Sequence, residues 1–206
     1  MFCSSCNCEF EGWSGRCPNC KEPLVEAAVQ SAEGDAHSIS YQALVDMVKA
    51  NGGQLQIPLT TTAVGMEKKS SFPYFGYGSA WAKRMQGSSM DVPVDLQAVD
   101  VGRDRKAGFP WRGFSFAWVK EMGGIIGGNE TALTARKVRR ERKWNFPYFG
   151  YGYAWAEEMQ GTCGDMIEID LVTTETSKKF ASRLPWHGFG FSWIKEGMLT
   201  LKVSAA

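Results

Sequence analysis

Five of the six cysteines in this chain lie within its first 20 residues, and four of them form two Cys-x2-Cys pairs. Cys3 pairs with Cys6 and Cys17 with Cys20, with ten residues between the pairs. Two such pairs on tight turns bring four thiolates together in a tetrahedral site, which suits Zn²⁺. Disulfides or free thiols are the alternative. Clustering of this kind, in a chain whose amino terminus does not read as a secretory signal, favours the metal.

Cys8 is the fifth cysteine of the cluster. As a ligand it would disturb the turn that begins at Cys3, so we predict that the ligands are Cys3, Cys6, Cys17 and Cys20. Four protein ligands leave no open position for water, which makes the predicted zinc structural rather than catalytic. Because so short a segment has almost no core, metal binding would supply most of its folding free energy.

The amino-terminal segment resembles a known family. Its first pair is followed by the run Trp-Ser-Gly-Arg-Cys-Pro-Asn-Cys at residues 13–20. This pattern is similar to the zinc ribbon that opens the bacterial RadA/Sms-type DNA-repair ATPases. The resemblance covers residues 1–23 and implies a module that binds a macromolecule. It does not imply ATPase activity, because no Gly-x4-Gly-Lys-Ser/Thr motif follows.

A second group of residues with chemical potential is a basic stretch that ends at Trp144. Its cations are Arg136, Lys137, Arg139, Arg140, Arg142 and Lys143. One interpretation is a set of phosphate contacts, with Trp144 and neighbouring aromatic residues stacking on bases. The other is an edge strand protected from aggregation by its charges. The net charge of the chain is only +1, which gives the nucleic-acid interpretation no further support.

Residues typical of catalysis are scarce in the sequence. There are two histidines, and His187 lies in a motif whose other copies carry Arg112 or Phe149 at that place. A position with three such different side chains argues against a catalytic base. We predict that the isolated Cys163 is a small buried or turn residue rather than a nucleophile. The sequence therefore predicts a protein that is not an enzyme.

The remainder of the chain is organised by an aromatic–glycine motif that occurs four times. Its copies begin at residues 72, 109, 146 and 184, at steps of 37, 37 and 38 residues. A fixed period of this size indicates one repeated supersecondary unit. Each copy leads to a tryptophan, and we predict that the four tryptophans form the structural core of the repeats: Trp81, Trp118, Trp155 and Trp193.

Each repeat contains two strand-like runs. The first alternates apolar and polar residues, as Leu55, Ile57 and Leu59 do, which is typical of a half-buried strand. The second carries the motif, with a bulky face and a small face. A helical interpretation of this run also exists, but its glycines would each cost about 1 kcal/mol in a helix. The sequence thus predicts a mainly β fold, an antiparallel barrel or a strongly curled two-layer sheet.

Two further details follow from the motif and from the end of the chain. We predict bulges or corners at the motif glycines, which are Gly76, Gly113, Gly150 and Gly188. The apolar residues of a last run, Leu199, Leu201 and Val203, are expected to pair with the first repeat.

One short helix is predicted before the repeats. Ser40 is its expected N-cap, and Leu44, Val45 and Val48 form its apolar face. Asn51 and the two glycines after it end the helix. We expect this helix to pack on the repeats or to plug one end of them.

These patterns divide the chain into a zinc ribbon at 1–24, a linker with the helix at 25–53, and a four-repeat β domain at 54–206 with halves 54–123 and 128–203. No run of about 18 apolar residues could span a bilayer, so we expect a cytoplasmic protein without a membrane partner. We predict a non-enzymatic adaptor that binds a protein or a nucleic acid through the ribbon and the β domain. The alternatives are a small-ligand barrel with an aromatic-lined cavity and a protein that self-associates into a homo-oligomer.

Overall fold

The computed structural model describes residues 2–3, 8–9, 38–71, 75–108, 112–145, 149–183 and 187–203. Within these ranges lie one helix and ten strands. They are β1 (Phe2–Cys3), β2 (Cys8–Glu9), α1 (Tyr41–Ala50), β3 (Gln54–Ser71), β4 (Phe75–Ser89), β5 (Val92–Gly108), β6 (Arg112–Ile126), β7 (Asn129–Asn145), β8 (Phe149–Cys163), β9 (Ile167–Arg183) and β10 (His187–Val203). The chain forms two compact units, Met1–Ala36 and His37–Ala206.

In the first unit, β1 and β2 form a small antiparallel pair. Phe2 lies opposite Glu9, and Cys3 lies opposite Cys8. The predicted ligands Cys6, Cys17 and Cys20 lie outside the described residues.

In the second unit, strands β3 to β10 form a closed antiparallel barrel in which neighbours in sequence are neighbours in the sheet. The predicted mainly β fold with one short helix is confirmed, and of the two predicted forms the barrel is observed. It closes where β10 pairs with β3, with Leu199 opposite Ile57. The last apolar run therefore pairs with the first repeat as expected, although it is the continuation of a motif strand.

The pairing is long within each hairpin and short between hairpins. Strands β5 and β6, for example, stay paired along 94–108 and 112–126. By contrast, β4 and β5 pair only along 84–89 and 92–97. The barrel is thus closed near α1, and at its other end the hairpins project as four arms. We define arm 1 as 64–81, arm 2 as 101–118, arm 3 as 138–155 and arm 4 as 176–193.

A bulge lies where the barrel passes into each arm. The register shifts on both strands of each hairpin. The residues skipped in the pairing are Thr62, Val99, Arg136 and Thr174 on the first strands and Lys83, Lys120, Glu157 and Lys195 on the second strands. Such bulges bend a strand and increase its twist, which allows long hairpins to leave a closed barrel. The bulges predicted at the motif glycines are not observed, because these glycines pair in regular register with the opposite strand of their hairpin.

The barrel interior is a packed apolar core. The alternating side chains of the first strand, Leu55, Ile57 and Leu59, are at most 4% exposed. Helix α1 covers one end of the barrel with Val45 and its two apolar neighbours, all fully buried in the same cluster. The Ser40 side chain accepts a hydrogen bond from the Ala43 amide, so the predicted N-cap is confirmed. Among the described residues, no helix is long and apolar enough to cross a membrane.

Candidate functional site

The motif strands β4, β6, β8 and β10 pack against one another by placing a small face on a bulky face. A Cβ atom on Gly152 of β8 would lie 2.5 Å from a ring carbon of Phe116 on β6. A Cβ atom on Gly190 of β10 would lie 2.6 Å from the Gly152 carbonyl oxygen on β8. Glycine at these positions lets neighbouring arms approach more closely than any other residue would allow. The close approach leaves no gap between the arms at this level.

The space enclosed by the four motif strands is too small to admit a water molecule. It is lined by Ala80, Trp81, Ala82, Ala117, Trp118, Val119, Ala154, Trp155, Ala156, Ser192, Trp193 and Ile194. The described residues at this level therefore form a solid core, and we find no support there for an aromatic-lined ligand cavity.

The four motif tryptophans lie between neighbouring arms and belong to three apolar clusters, with Trp81 and Trp155 in the same one. Trp155 and Trp193 are 7% and 8% exposed, while Trp81 and Trp118 are partly buried. Trp155 belongs to the main core, and Trp193 to a second cluster with Phe191. The indoles of Trp81 and Trp118 each lie over a glycine of their own hairpin, where a Cβ atom would overlap the ring.

Cations of the next arm cover three of these tryptophans. Arg103 Cζ lies 5.3 Å from the ring centroid of Trp81. Arg140 Cζ lies 4.7 Å from that of Trp118. Lys178 Nζ lies 4.7 Å from that of Trp155. Each contact falls within the range of cation–π attraction, so a positive charge stabilises the packing of one arm on the next.

Each of these three cations also meets an acidic residue of the preceding arm. Glu67 accepts a hydrogen bond from Arg103 at 2.8 Å. The corresponding pairs are Asp104 with Arg140 at 3.2 Å and Glu141 with Lys178 at 2.8 Å. We call the contacts between successive arms seam 1–2, seam 2–3 and seam 3–4. Each is held by one carboxylate, one cation and one indole.

Seam 4–1, between arm 4 and arm 1, is different. Lys179 stands five residues before the fourth motif, where the other arms have Glu67, Asp104 or Glu141. Met66 stands where the next arms have Arg103, Arg140 or Lys178, and it is 46% exposed. Instead of an ion pair, Lys179 Nζ lies 5.4 Å from the Trp193 centroid, and Lys68 Nζ lies 5.7 Å from the Phe191 centroid.

The predicted basic stretch does not form a single surface. Lys137 lies 3.3 Å from both Glu157 and Glu158, and these carboxylates raise the pKa of Lys137. Arg139 lies 3.5 Å from Glu157. These two cations are therefore paired within their own hairpin.

The other cations of the stretch have different surroundings. Arg140 belongs to seam 2–3, and the Arg142 guanidinium lies 5.6 Å from the ring centroid of Phe114. Arg136 is the bulge residue of β7, and Lys143 is exposed. The Trp144 backbone pairs with Gly150, whereas its side chain lies outside the described residues.

A feature that the linear sequence conceals is the segregation of charge along the barrel unit. The four arms together contain 13 Lys or Arg and 3 Asp or Glu, a net charge of +10. The remainder of residues 38–206 contains 8 basic and 13 acidic residues, a net charge of −5. The near-zero charge of the whole chain is thus the sum of two opposite regions. Superposing the four motif windows would have revealed this from the sequence.

A surface depression of about 240 Å³ lies on the acidic part of the barrel, between residues of β8, β9, β10 and β3. Its carboxylate, Asp170, accepts hydrogen bonds from Lys202 at 2.7 Å and from Gln160 at 2.8 Å. Lys202 is the main cause of the lowered pKa of Asp170. Asp170, Lys202 and Gln160 thus satisfy one another across the depression.

Two other predicted sites can be placed. Cys163 is fully buried in the main core, and burial raises the pKa of its thiol, so the predicted buried role is confirmed. Within the described ranges, no group of three or more His, Cys, Asp or Glu side chains could hold a metal ion. The predicted zinc ligands beyond Cys3 lie outside those ranges.

No family model, no curated protein and no solved structure matches this chain.

Proposed function

We propose that this chain is a non-enzymatic cytoplasmic adaptor whose barrel unit binds nucleic acid through the basic arms. The observation that carries the proposal is the net charge of +10 on the arms against −5 on the rest of the unit. A concentrated positive region attracts the phosphate backbone of a nucleic acid and releases its counterions. An average charge near zero does not weaken this attraction, because exposed charges act mainly within about one Debye length, roughly 10 Å.

The contacts that we propose are to phosphates and not to bases. Described motif rings are packed between arms, as Phe116 at 2% exposed and Phe191 at 4% exposed are, and the Trp144 side chain that was expected to stack on bases lies outside the described residues. The accessible groups are exposed lysines such as Lys69, Lys106 and Lys143, three residues before the first three motifs. Backbone contacts of this kind position a nucleic acid without reading its sequence. We therefore expect little sequence preference.

We also propose that the four hairpins are equivalent repeat units. Two observations support this equivalence. The register shifts lie at the same place in each hairpin, and seams 1–2, 2–3 and 3–4 contain the same kind of contact. A repeated unit places the same cationic group several times on one surface. Such an arrangement suits a ligand that is itself a repeating chain of phosphates.

The amino-terminal unit is proposed to be the zinc ribbon, the second binding module of the adaptor. The four thiolates of Cys3, Cys6, Cys17 and Cys20 are the donor set that Zn²⁺ prefers in structural sites. The described part of this unit is the antiparallel pair in which Cys3 lies opposite Cys8. In this unit the zinc would hold the two cysteine pairs together and take no part in a reaction.

The proposal is tested by fluorescence anisotropy with a labelled oligothymidylate and with a random-sequence duplex, titrated at several KCl concentrations. The test variant is Lys69→Gln/Lys106→Gln/Lys143→Gln. The matched control is Lys120→Gln/Lys195→Gln/Lys202→Gln, which removes the same charge from the barrel end. For the single strand, we expect the test variant to reduce the slope of log K against log salt by about 2, since each phosphate contact contributes about 0.7.

Three results would overturn the proposal. The first is the absence of binding to either nucleic acid at low salt. The second is an equal loss in the test and control variants, which would show a non-specific effect of charge. The third is tighter binding of poly-glutamate than of the oligonucleotide, which would assign the arms to an acidic protein partner.

A further inference from the structure

We propose that seam 4–1 is a further phosphate-contact site of the arms, beside the exposed lysines Lys69, Lys106 and Lys143, and that Lys68 and Lys179 are its two contacts. This inference rests on the proposed nucleic-acid binding and assigns it to particular residues. It starts from the one seam in which the alternation of acid and cation is broken.

The seams differ in the net charge that remains after their ion pairs are counted. Seam 1–2 combines Glu67 with Arg103 and Arg105, and seam 2–3 combines one acid with two cations in the same way, so each has a net charge of +1. Seam 3–4 pairs Glu141 with Lys178. It is neutral, because Phe180 stands where the other two seams have their second cation. Seam 4–1 contains Lys68 and Lys179 without a carboxylate among the described residues of the seam, so its net charge is +2.

The two ammonium groups of seam 4–1 lie over neighbouring rings of one strand. Phe191 and Trp193 are two residues apart on β10, so their side chains share a face. Lys179 approaches this face from β9 of the same hairpin, and Lys68 approaches it from β3 of the next arm. Both side chains are exposed. A phosphate group above this face can therefore receive hydrogen bonds from both sides.

The kind of contact that each cation makes decides whether it can still bind an anion. Arg103, Arg140 and Lys178 donate hydrogen bonds to carboxylates, which neutralise them. A ring attracts an ammonium group by its quadrupole and leaves its three N–H donors largely available. Lys68 and Lys179 form no ion pair within 4.0 Å among the described residues, so their donors can turn to a ligand.

Access to the site follows from Met66. In seams 1–2 and 2–3 the corresponding position carries an arginine that lies over the indole of the preceding arm. At seam 4–1 the side chain is an uncharged methionine that is 46% exposed. It brings no donor that would compete for an incoming phosphate.

The inference is tested with Lys68→Gln/Lys179→Gln in the full chain, by the same anisotropy titration with oligothymidylate. The matched control is Lys120→Gln/Lys195→Gln, because both lysines are exposed and each bonds a carboxylate, Asp100 or Glu175. We expect the test variant to lower the salt slope by about 1.4, which is two contacts of about 0.7 each. The control should keep the wild-type slope.

A second variant, Met66→Arg/Lys179→Glu, gives seam 4–1 the ion pair of the other seams. We expect it to melt at or above the wild-type temperature and to lower the salt slope by about 0.7, half the effect of the double glutamine variant, because Lys68 remains. Loss of binding in a protein that melts normally excludes misfolding as the cause. Inorganic phosphate is added as a competitor, since the two lysines could also hold a free phosphate ion.

The outcomes separate this inference from the function on which it rests. If the wild-type protein binds no nucleic acid, the proposed function fails. If the wild-type protein binds but the test variant binds like the control, nucleic-acid binding stands and seam 4–1 is not its site. Full competition by millimolar inorganic phosphate in the wild-type protein, with no effect of strand length on affinity, would assign the seam to the free ion and overturn the inference.

Discussion

The hydroxyl oxygens of Ser79 and Ser115 lie 2.9 Å apart inside the contact between β4 and β6, where both side chains are buried. In the other contacts between motif strands, a ring faces a glycine at the corresponding place. These pairs are Phe116 with Gly152, Tyr153 with Gly190 and Phe191 with Gly78. One large-and-small pair is thus replaced by two medium side chains that share a hydrogen bond. In each contact between neighbouring arms, the sizes of the two facing side chains are therefore complementary.

The serine pair gives a first prediction. Ser79→Phe alone should destabilise the barrel unit by about 1–3 kcal/mol, because the ring meets the Ser115 side chain in a filled space. Ser79→Phe/Ser115→Gly recreates the ring-and-glycine pair and should recover most of this loss. Urea unfolding of the two single variants and the double variant measures the coupling. Additive effects of the two substitutions would show that the sizes of residues 79 and 115 are not coupled.

The glycines below the indoles give a second prediction. Gly102→Ala should destabilise the unit by about 1–3 kcal/mol, because the added methyl group overlaps the Trp118 ring. Ser177 is the matched control, since it pairs with Trp193 in arm 4 and already carries a Cβ atom. Ser177→Ala should change the free energy of unfolding little. Thermal melts of both variants test this, and equal effects would contradict the assigned contact.

A third prediction concerns alkaline pH. Burial, with Tyr151 nearby, raises the pKa of Tyr153 to about 12. The folded state therefore keeps the phenol proton at pH values where the unfolded chain, with a pKa of about 10, has lost it. Stability is unaffected below pH 10 and falls as the pH rises from about 10 to about 12.

The matching variant for Tyr153 is Tyr153→Phe, which lacks the ionisable group. Urea unfolding of both proteins on either side of pH 10 should give a steeper loss for the wild type. An identical pH dependence would show that another group governs alkaline unfolding.

A fourth prediction concerns the proposed zinc ribbon. Purified protein should contain one zinc ion per chain by elemental analysis, and Cys17→Ser should lose it, since three thiolates bind zinc far more weakly than four. Cys8→Ser is the control and should retain the metal. A chelator should leave the melting of the barrel unit unchanged, because the described residues of that unit contain no group of metal ligands. Loss of zinc from Cys8→Ser would assign the ligands differently.

The sequence was sufficient to predict those features that depend on periodicity. The alternation of Leu55, Ile57 and Leu59 identified a half-buried strand, and the fourfold motif indicated hairpins that form either a barrel or a curled two-layer sheet. Ser40 and Asn51 identified both ends of α1, since capping has a local chemical cause. These features are encoded within a few neighbouring residues.

The features that were missed depend on which strands meet. On the first strand of each hairpin, skipped residues such as Thr62 and Val99 share no side-chain property, so no sequence signal distinguishes them from their neighbours. Those on the second strands all lie two residues after a motif tryptophan and are charged, a signal that was missed: Lys83, Lys120, Glu157 and Lys195. Periodicity showed that Trp118 lies on the bulky face of its strand, but not that Arg140 of the next arm would cover it. For the same reason the basic stretch was interpreted as one surface, whereas β7 directs its cations to two different neighbours.

The short pairing between hairpins has a consequence for motion. Within the described strands, the backbone of each arm strand pairs only with the other strand of its hairpin, whereas barrel strands have backbone partners on both sides. Amide protons on the outer sides of the arms have no backbone partner there, although the Ala154 amide donates to Ser192 Oγ. Most of them should therefore exchange with deuterium sooner than those of the barrel. Within the described strands, hydrogen exchange should therefore be slow in the barrel and fast in the four arms.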